Sequence, residues 1–530
     1  MIRSPRVLGA AIAAALLVAS CGEPTSTTPF PAVDPAMIQA HLDQYAEAET
    51  AGPEAGGRGE RLAVAYTKRM FTEMGIPVQT PEVPLTKIRT LHASIALQGA
   101  GGARTLTEGD EVVAWSRRHE GVTTADGDLM FVGYGISAPR QGWDDYKNVD
   151  VRGKILVMLI GDPLVGQRHL LGSVGGDLYG RSRYKFDEAE RRGAVGVLLI
   201  HLGERSDVTW DQIQENQAEI LDPGPPGQFT AHLSIEGWLH TDAARKLFSD
   251  SGLDFDDAMS LAQETNFAAV NLPVHAVGHV ESELSLITAY NVIATIPPVG
   301  TAAEYVMFSS QWNTLPAGHA SGRDLTDTDP KDQPPPGASI VLELARALTH
   351  ARAPHRGFVF LIVTAEPQGL IGLDSYLEHP LYAPSVTRAA LHVVGFNDRA
   401  SDDRRVEIVG IAYETLKGLV RAQAAEQHRI AQSDMEPERL HFFREGRVSY
   451  TLKEIPSIFL SSGKEFDPKA AAAIPRDMST GVLDVRLLYH VGMDIGTTNY
   501  WPAWEPSRTL LDYVPGNTEA VNGNRPRGVR

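Results

Sequence analysis

The segment Leu361–Gly372 (LIVTAEPQGLIG) decides the fold, because it contains an apolar strand, the start of a helix and a single carboxylate in the turn between them. That carboxylate belongs to Glu366. The next residue, Pro367, has no backbone N–H group and no side-chain atom that binds a metal ion. Open α/β sheets place their sites at the carboxyl ends of their strands. Glu366 is therefore a candidate site residue, although a glutamate that follows a strand is more commonly a solvated loop residue.

Strands and helices alternate on both sides of this segment. Apolar runs predict strands at Tyr305–Ser310, Gly357–Thr364, Ala389–Val394 and Ser457–Leu460, and helices at Gly337–Ala351 and Gly369–Glu378. This alternation predicts an α/β fold with a mostly parallel sheet. Residues 109 to 276 differ, because they are rich in glycine and in short β-type runs, which indicates a separate β-rich unit.

Length and charge limit the possible functions. A chain of 530 residues is too long for a single hydrophobic core, so we expect two or three domains. The composition, with 43% hydrophobic and 22% charged residues, is typical of a folded protein. The formal net charge of −18 argues against a nucleic-acid partner.

The N-terminus has the features of a targeting segment. Arg3 and Arg6 precede the apolar run Val7–Val18, which is too short to span a membrane comfortably. Cys21, the only cysteine, follows Leu-Val-Ala-Ser, and this sequence resembles a bacterial lipobox. Residues 1–20 are therefore expected to be a lipoprotein signal peptide and Cys21 the lipidation site. The alternative is a simple secretory signal with a free cysteine.

The lipid anchor implies a location. The polar, proline-rich residues 21–36 are expected to form a flexible tether between the lipid and the folded protein. The chain is then a protein of the cell envelope, anchored in a membrane by its lipid. Gly22, rather than an aspartate, follows the cysteine, and resemblance to bacterial lipoproteins favours the outer membrane, facing the periplasm or the exterior.

Several longer motifs resemble the di-zinc aminopeptidase family, which includes leucyl aminopeptidases, glutamate carboxypeptidase and the transferrin receptor ectodomain. They are GASIVLELARAL (Gly337–Leu348), RGFVFLIVTAEPQGLIGLDSYLEHP (Arg356–Pro380), IPSIFLSSG (Ile455–Gly463) and LDVRLLYHVGMDIGTTNYWPAW (Leu483–Trp504). The resemblance implies a zinc-aminopeptidase-like, three-layer α/β/α domain with a mostly parallel mixed sheet.

The middle of the chain resembles the protease-associated domain that is inserted in many secreted members of this family. The matching segments are Tyr134–Pro163 and Phe186–Ile200. The resemblance implies an aminopeptidase-like domain made of residues 37–108 and 284–530, with a β-rich protease-associated domain at residues 109–283 between the two segments.

Members of the family are metallo-exopeptidases whose two zinc ions are held by five histidine and carboxylate ligands. The resemblance places the general base on Glu366 and the bridging zinc ligand on Asp332. The other four ligand positions fall on Gln311, Pro367, Val394 and Arg447. None of these four side chains replaces an imidazole or a carboxylate, and Arg447 would repel a metal ion and instead pair with Asp332 or Glu366.

Two functions remain open. The first is a non-catalytic protein without a cofactor, which binds an unknown peptide or protein or acts as a scaffold, with Trp312, Asn313 and His392 in the pocket. The second is an active zinc aminopeptidase with a rebuilt or single-metal site around Asp332, Glu366 and His392. In that case the acidic loop before Asp332 would add ligands, namely His319, Asp324, Asp327 and Asp329.

Overall fold

The structure is a computed structural model that describes the chain from residue 29 to residue 502, with gaps. The gaps are residues 140–141, 166–167, 170–178, 204–208, 217–218, 300–302, 314–335, 352–353, 367–369, 400–403, 411–413, 434–448, 451–452, 463–474 and 499–501. Several residues singled out above lie outside the described part, namely Cys21, His319, Asp324, Asp327, Asp329, Asp332, Pro367 and Arg447.

The described helices are α1 (Pro35–Thr50), α2 (Arg58–Glu73), α3 (Ser182–Arg191), α4 (Trp210–Asn216), α5 (Thr241–Asp250), α6 (Phe255–Leu261), α7 (Ala338–Thr349), α8 (Ile371–Glu378), α9 (Glu414–Glu426) and α10 (Ser479–Thr497). Each of these helices is too short or too polar to cross a lipid bilayer.

The strands are β1 (Val78–Gln79), β2 (Glu82–Gly99), β3 (Gly102–Thr105), β4 (Val112–Trp115), β5 (Val122–Phe131), β6 (Ser137–Ala138), β7 (Trp143–Asp144), β8 (Ile155–Leu159), β9 (Leu164–Val165), β10 (Arg168–His169), β11 (Gly196–Ile200), β12 (Ile220–Pro223), β13 (Ile235–Leu239), β14 (Val270–Tyr290), β15 (Val292–Ile296), β16 (Tyr305–Gln311), β17 (Gly357–Val363), β18 (Thr387–Gly395), β19 (Arg405–Val409), β20 (Ile430–Ser433) and β21 (Ser457–Ser462).

Eight of these strands form the first sheet, in the order β1-β15-β17-β16-β18-β21-β19-β20. Its four central strands, β17, β16, β18 and β21, are parallel to one another. Alternate strand residues point to opposite faces. Phe308 and Phe360 pack in the cluster that contains residues of α1, α2, α7, α9 and α10, whereas Met307 and Leu361 pack with residues of α8. The predicted three-layer α/β/α fold is confirmed.

A second sheet of nine strands has the order β12-β2-β14-β5-β8-β11-β13-β4, with β3 beside β2. Helices α5 and α6 pack on one of its faces and α3 and α4 on the other. We call the first sheet with its helices the first unit and the second sheet with its helices the second unit. Whether the second unit is a protease-associated domain stays a prediction.

The long strands β2 and β14 lie in the second sheet, where they pair from Val274↔Gly99 to Tyr290↔Glu82. Residues 82–105 and 284–290, which the sequence analysis placed with the aminopeptidase-like domain, are therefore part of the second sheet. The alternating pattern of these strands shows that each has a buried face. It does not show which sheet the strand joins, because that depends on partners distant in sequence.

Candidate functional site

Three neighbouring parallel strands end at the same edge of the first sheet. Gln311, the last residue of β16, pairs in register with Val363 at the end of β17. Glu366 follows Val363 by three residues. On the other side, Ser309 of β16 pairs with His392 of β18. The structure therefore brings Gln311, Glu366 and Val394 together at the carboxyl ends of the strands, where an α/β sheet carries its site.

The turn that carries Glu366 has an unusual backbone. Ala365 and Leu370 have φ angles of 51° and 66°, in the left-handed region that residues with a Cβ atom rarely adopt. The side chain of Asn291 closes the turn, since its Nδ2 donates to Gly372 O at 2.7 Å and its Oδ1 accepts from Thr364 N at 3.0 Å. Backbone strain of this kind concentrates at functional sites.

Glu366 itself is buried, with 4% of its surface exposed. The neighbouring Ala365 and Ile371 pack against Val83 and Ala289 at the base of the second sheet. The position predicted for the general base is thus a carboxylate in the interior of the protein, next to the contact between the two units.

A buried polar cluster lies one layer below the strand ends. The hydroxyl of Ser309 is 3.0 Å from His392 Nδ1 and 2.7 Å from Tyr450 Oη. His392 also lies against the ring of Phe459, with 4.9 Å between the ring centroids. Burial raises the pKa of Tyr450 above its usual value, the Ser309 hydrogen bond opposes this rise, and the nearby Glu366 carboxylate adds to it. Tyr450 therefore stays protonated at neutral pH.

Two further candidate pocket residues are engaged elsewhere. Trp312 is buried, at 3% exposure, in the core cluster on the α1 and α2 side of the sheet. Asn313 Nδ2 donates to Pro53 O at 3.1 Å, in the loop between α1 and α2. In this arrangement Asn313 supports that loop, and Trp312 fills the interior beneath it.

The described residues do not fit a pair of zinc ions. Gln311 and Val394 occupy two of the ligand positions, and an amide and an alkyl side chain are not the imidazole or carboxylate donors that such sites use. His392, the imidazole on the neighbouring strand β18, lies in the buried cluster with its Nδ1 hydrogen-bonded to Ser309. Among the described residues, no group of three or more histidine, cysteine, aspartate or glutamate side chains is arranged to hold a metal ion.

A cavity of about 1130 Å³ lies between the two units. Its wall includes Asp374 and Glu378 of α8, Glu82 of β2, Pro223 of β12 and Lys453. The cavity adjoins the turn that carries Glu366, because Ile371 and Asn291 also line it.

Helices on both faces of a sheet, with a carboxylate at its parallel strand ends, define an aminopeptidase-like α/β fold. Residues 291–479 match the sequence model of Peptidase family M28. The predicted resemblance to the di-zinc aminopeptidases is confirmed by this family match. A search of curated proteins finds no match.

One solved structure shows a similar fold, and two others align with lower scores. An aminopeptidase from Aneurinibacillus sp. strain AM-1 is similar with a TM-score of 0.50 and 17% identity, over 89% of this chain and 96% of that chain. A zinc aminopeptidase from Bacillus subtilis aligns over 90% of this chain and 98% of that chain, with 15% identity and a TM-score of 0.46. A Peptidase M28 precursor from Shewanella amazonensis aligns over 89% and 97%, with 14% identity and a TM-score of 0.41.

Ser309 and Tyr450 were not predicted as site residues from the sequence. Ser309 had a detectable signal, since it and Ser310 are polar residues inside the apolar strand YVMFSSQ and buried hydroxyls need hydrogen-bond partners. Tyr450 had none, because 141 residues separate it from Ser309 along the chain.

Proposed function

We propose that this chain is a non-catalytic member of the M28 family, which binds a peptide or protein instead of hydrolysing it. The observation that carries the proposal is the set of side chains at the strand ends. Gln311 lies between Glu366 and Val394 along the edge of the sheet, and one carboxylate with an amide and a valine is not a site for two zinc ions. The general base position is retained without the metal ions that would supply its hydroxide.

The buried cluster below the strand ends supports this proposal. His392 is buried and directs Nδ1 to Ser309, whose hydroxyl also contacts Tyr450, within the core of the first unit. A single buried histidine in such a cluster is more often a hydrogen-bonded core residue than a metal ligand. The cavity between the two units provides space for a bound segment without any hydrolytic step.

The proposal extends to location. Cys21 carries a lipid, residues 21–36 tether the folded protein, and the protein acts in the cell envelope, on the outer membrane. Binding would then occur at a membrane surface, where a tethered protein meets its partner at high local concentration.

Metal analysis of the purified mature chain, together with assays on aminoacyl-nitroanilides, tests the absence of catalysis. We expect much less than one zinc ion per chain and no turnover. EDTA should leave the melting temperature unchanged, because a ligand that is not bound to the native state cannot stabilise it. A stoichiometric zinc ion, with turnover that is abolished in Glu366→Gln, would instead establish the alternative enzyme built around Asp332, Glu366 and His392.

Restoring a single ligand should not restore activity. In Pro367→Glu, the position beside Glu366 regains a carboxylate, but Gln311, Val394 and Arg447 still occupy the other substituted positions. We expect this variant to remain inactive in the presence of added zinc, as measured by nitroanilide release. Turnover in Pro367→Glu would mean that the remaining residues form a working metal site.

Fractionation tests the lipid anchor. Wild-type protein should sediment with membranes, and Cys21→Ser should appear in the soluble fraction of the same cells, because no acyl chains would hold it. Gly22→Ala, one residue later, is the matched control and should stay with the membranes. Sedimentation of Cys21→Ser with membranes would exclude the lipid as the anchor.

A further inference from the structure

A small pocket lined by thioether side chains lies away from the strand ends, between α1, α2 and α7. Its volume is about 290 Å³. Its wall includes Met37 and His41 from α1, Met70 and Met74 from α2, and His350 at the end of α7. Three of the 11 methionines of the chain thus line one cavity. We call it the methionine pocket.

Helical spacing directs these side chains to the pocket. Met37 and His41 are one turn apart on α1, and Met70 and Met74 are one turn apart on α2, so each pair shares a helix face. All three methionines are half-buried, and two of them rest on the core of the first unit. Methionine is unbranched and has three rotatable bonds, so the three sulfur atoms can turn toward a common point.

A buried network around Glu343 forms another part of the wall. His41 Nε2 lies 2.9 Å from Glu343 Oε1, and its Nδ1 lies 2.5 Å from Tyr66 Oη. Burial raises the pKa of Glu343, but hydrogen bonds from His41 and Arg346 outweigh that effect and lower it. Both nitrogens of His41 are therefore occupied, and Arg346 balances the charge of Glu343. The wall also includes Glu73, an exposed carboxylate 3.8 Å from Arg69, and Thr349, whose hydroxyl donates to Arg346 O. The thioethers, with His350 at the exposed rim, are the soft and imidazole donors of the described wall.

We propose that the methionine pocket binds a soft monovalent metal ion, Cu(I), through the sulfur atoms of Met37, Met70 and Met74. Thioethers are soft ligands and select Cu(I), whereas Mg²⁺ and Ca²⁺ require oxygen ligands. A thioether has no proton to lose, so binding through sulfur does not compete with protonation as binding through imidazole does. The site is separate from the strand ends and does not rest on the function proposed above.

Cu(I) uptake by the full mature chain tests the site, under anaerobic conditions and in competition with the colorimetric chelator bicinchoninate. Wild type should take up one more equivalent than the triple variant Met37→Leu/Met70→Leu/Met74→Leu. The affinity of the pocket for Cu(I) in that variant should fall by more than about 100-fold, because losing even a group that only supports a metal ligand costs up to that factor. Both proteins keep Cys21, so its contribution cancels. Leucine conserves volume, so their melting temperatures should agree within a few degrees.

A second triple variant controls for the loss of thioethers in general. Met130→Leu/Met158→Leu/Met259→Leu removes three buried methionines of the second unit and should take up as much Cu(I) as wild type. The affinity should also change little between pH 5 and pH 7.

Equal uptake by wild type and the pocket variant would overturn the proposal. A Cu(I) affinity that falls as the pH is lowered through the titration of an imidazole would also overturn it, if His350→Ala abolishes the binding. The histidine would then be the ligand. Zinc found elsewhere in the chain would contradict the non-catalytic function and leave this site untouched.

Discussion

The hydroxyl of Ser309 is hydrogen-bonded on both sides, to His392 and to Tyr450, and all three side chains are buried. Water cannot replace a bond that is lost there. We expect Ser309→Ala to lower the free energy of unfolding by about 2–4 kcal/mol, because each buried group left unsatisfied costs about 1–3 kcal/mol. Urea denaturation followed by circular dichroism measures the change.

The neighbouring residue provides the matched control for that substitution. Ser310 points to the opposite side of β16, and its hydroxyl donates to Val393 O at 2.7 Å, with Gln311 O a second acceptor at 3.1 Å. Ser310→Ala should cost only about 1 kcal/mol, the usual value for a single hydrogen bond. If Ser309→Ala costs no more than Ser310→Ala, the hydroxyl of Ser309 does not hold the cluster together.

At this scale the sequence predicted only part of the site. Glu366 was detectable because a carboxylate at the end of an apolar strand is locally visible. The hydrogen bond between Ser309 and Tyr450 was not detectable in the sequence, because a side-chain contact between residues 141 positions apart depends on the tertiary fold. Trp312 illustrates the same limit: the sequence shows a large ring next to Gln311 and cannot show that the ring enters the core.

Among the elements, the junction of β17 with α8 leaves little room for a larger side chain. Gly372 follows the turn of Glu366, and a Cβ atom there would lie 2.2 Å from Thr364 O and 2.7 Å from Asn291 Oδ1. Gly372→Ala should therefore destabilise the protein by about 1–3 kcal/mol, since the backbone of β17 must shift to make room. Thermal or urea unfolding measures the loss.

Gly418 in α9 is the opposite case and serves as the control. A Cβ atom at Gly418 meets nothing within 4 Å. Gly418→Ala should stabilise the protein by about 0.5–1 kcal/mol, because alanine loses less conformational entropy in a helix. A loss of stability in Gly418→Ala as large as that in Gly372→Ala would show that close packing at the junction is not the cause.

The elements of the first unit were largely predictable, because β16, β17 and β18 are long apolar runs separated by helical patterns. The strands β19 and β20 were not predicted. They have five and four residues, and their mixed pattern carries little periodic signal at this end of the sheet, where β20 is the edge strand.

For the molecule as a whole, the second unit contains a buried network that makes stability depend on pH. Asp222 Oδ2 lies 3.0 Å from His119 Nε2 and 3.2 Å from His232 Nε2, and His232 Nδ1 lies 3.1 Å from Glu190. Burial raises the pKa of Asp222, but hydrogen bonds from both histidines lower it overall. Burial lowers the pKa of His232, but its hydrogen bonds to Asp222 and Glu190 raise it overall.

The signs of these two shifts define a pH window. The stability from Asp222 is present above its unfolded pKa of about 3.9 and is lost as the pH falls through its lower folded pKa. The stability from His232 is present below its unfolded pKa of about 6.5 and is lost as the pH rises through its higher folded pKa. The network should thus contribute most between about pH 4 and pH 6.5.

Asp222→Asn tests this window. We expect a loss of about 2–3 kcal/mol in urea unfolding at pH 5.5, since bonds to charged partners are removed, and a smaller loss at pH 9. Asp150→Asn, at an exposed pair with Arg152, should have no measurable effect at either pH. Equal losses at pH 5.5 and pH 9 for Asp222→Asn would show that the charge on His232 contributes nothing.

The paired strands at the junction of the two units also have a consequence for the history of the protein. The chain leaves the first sheet at Gln79 and re-enters it opposite the same residue, at Ile293, and Glu82 and Tyr290 are paired immediately beyond. The second unit therefore connects the antiparallel strands β1 and β15, a connection that a hairpin turn could also make. Because β1 and β15 are already adjacent in the first sheet, an inserted domain between them can be gained, exchanged or lost during evolution without a change in the strand order of that sheet.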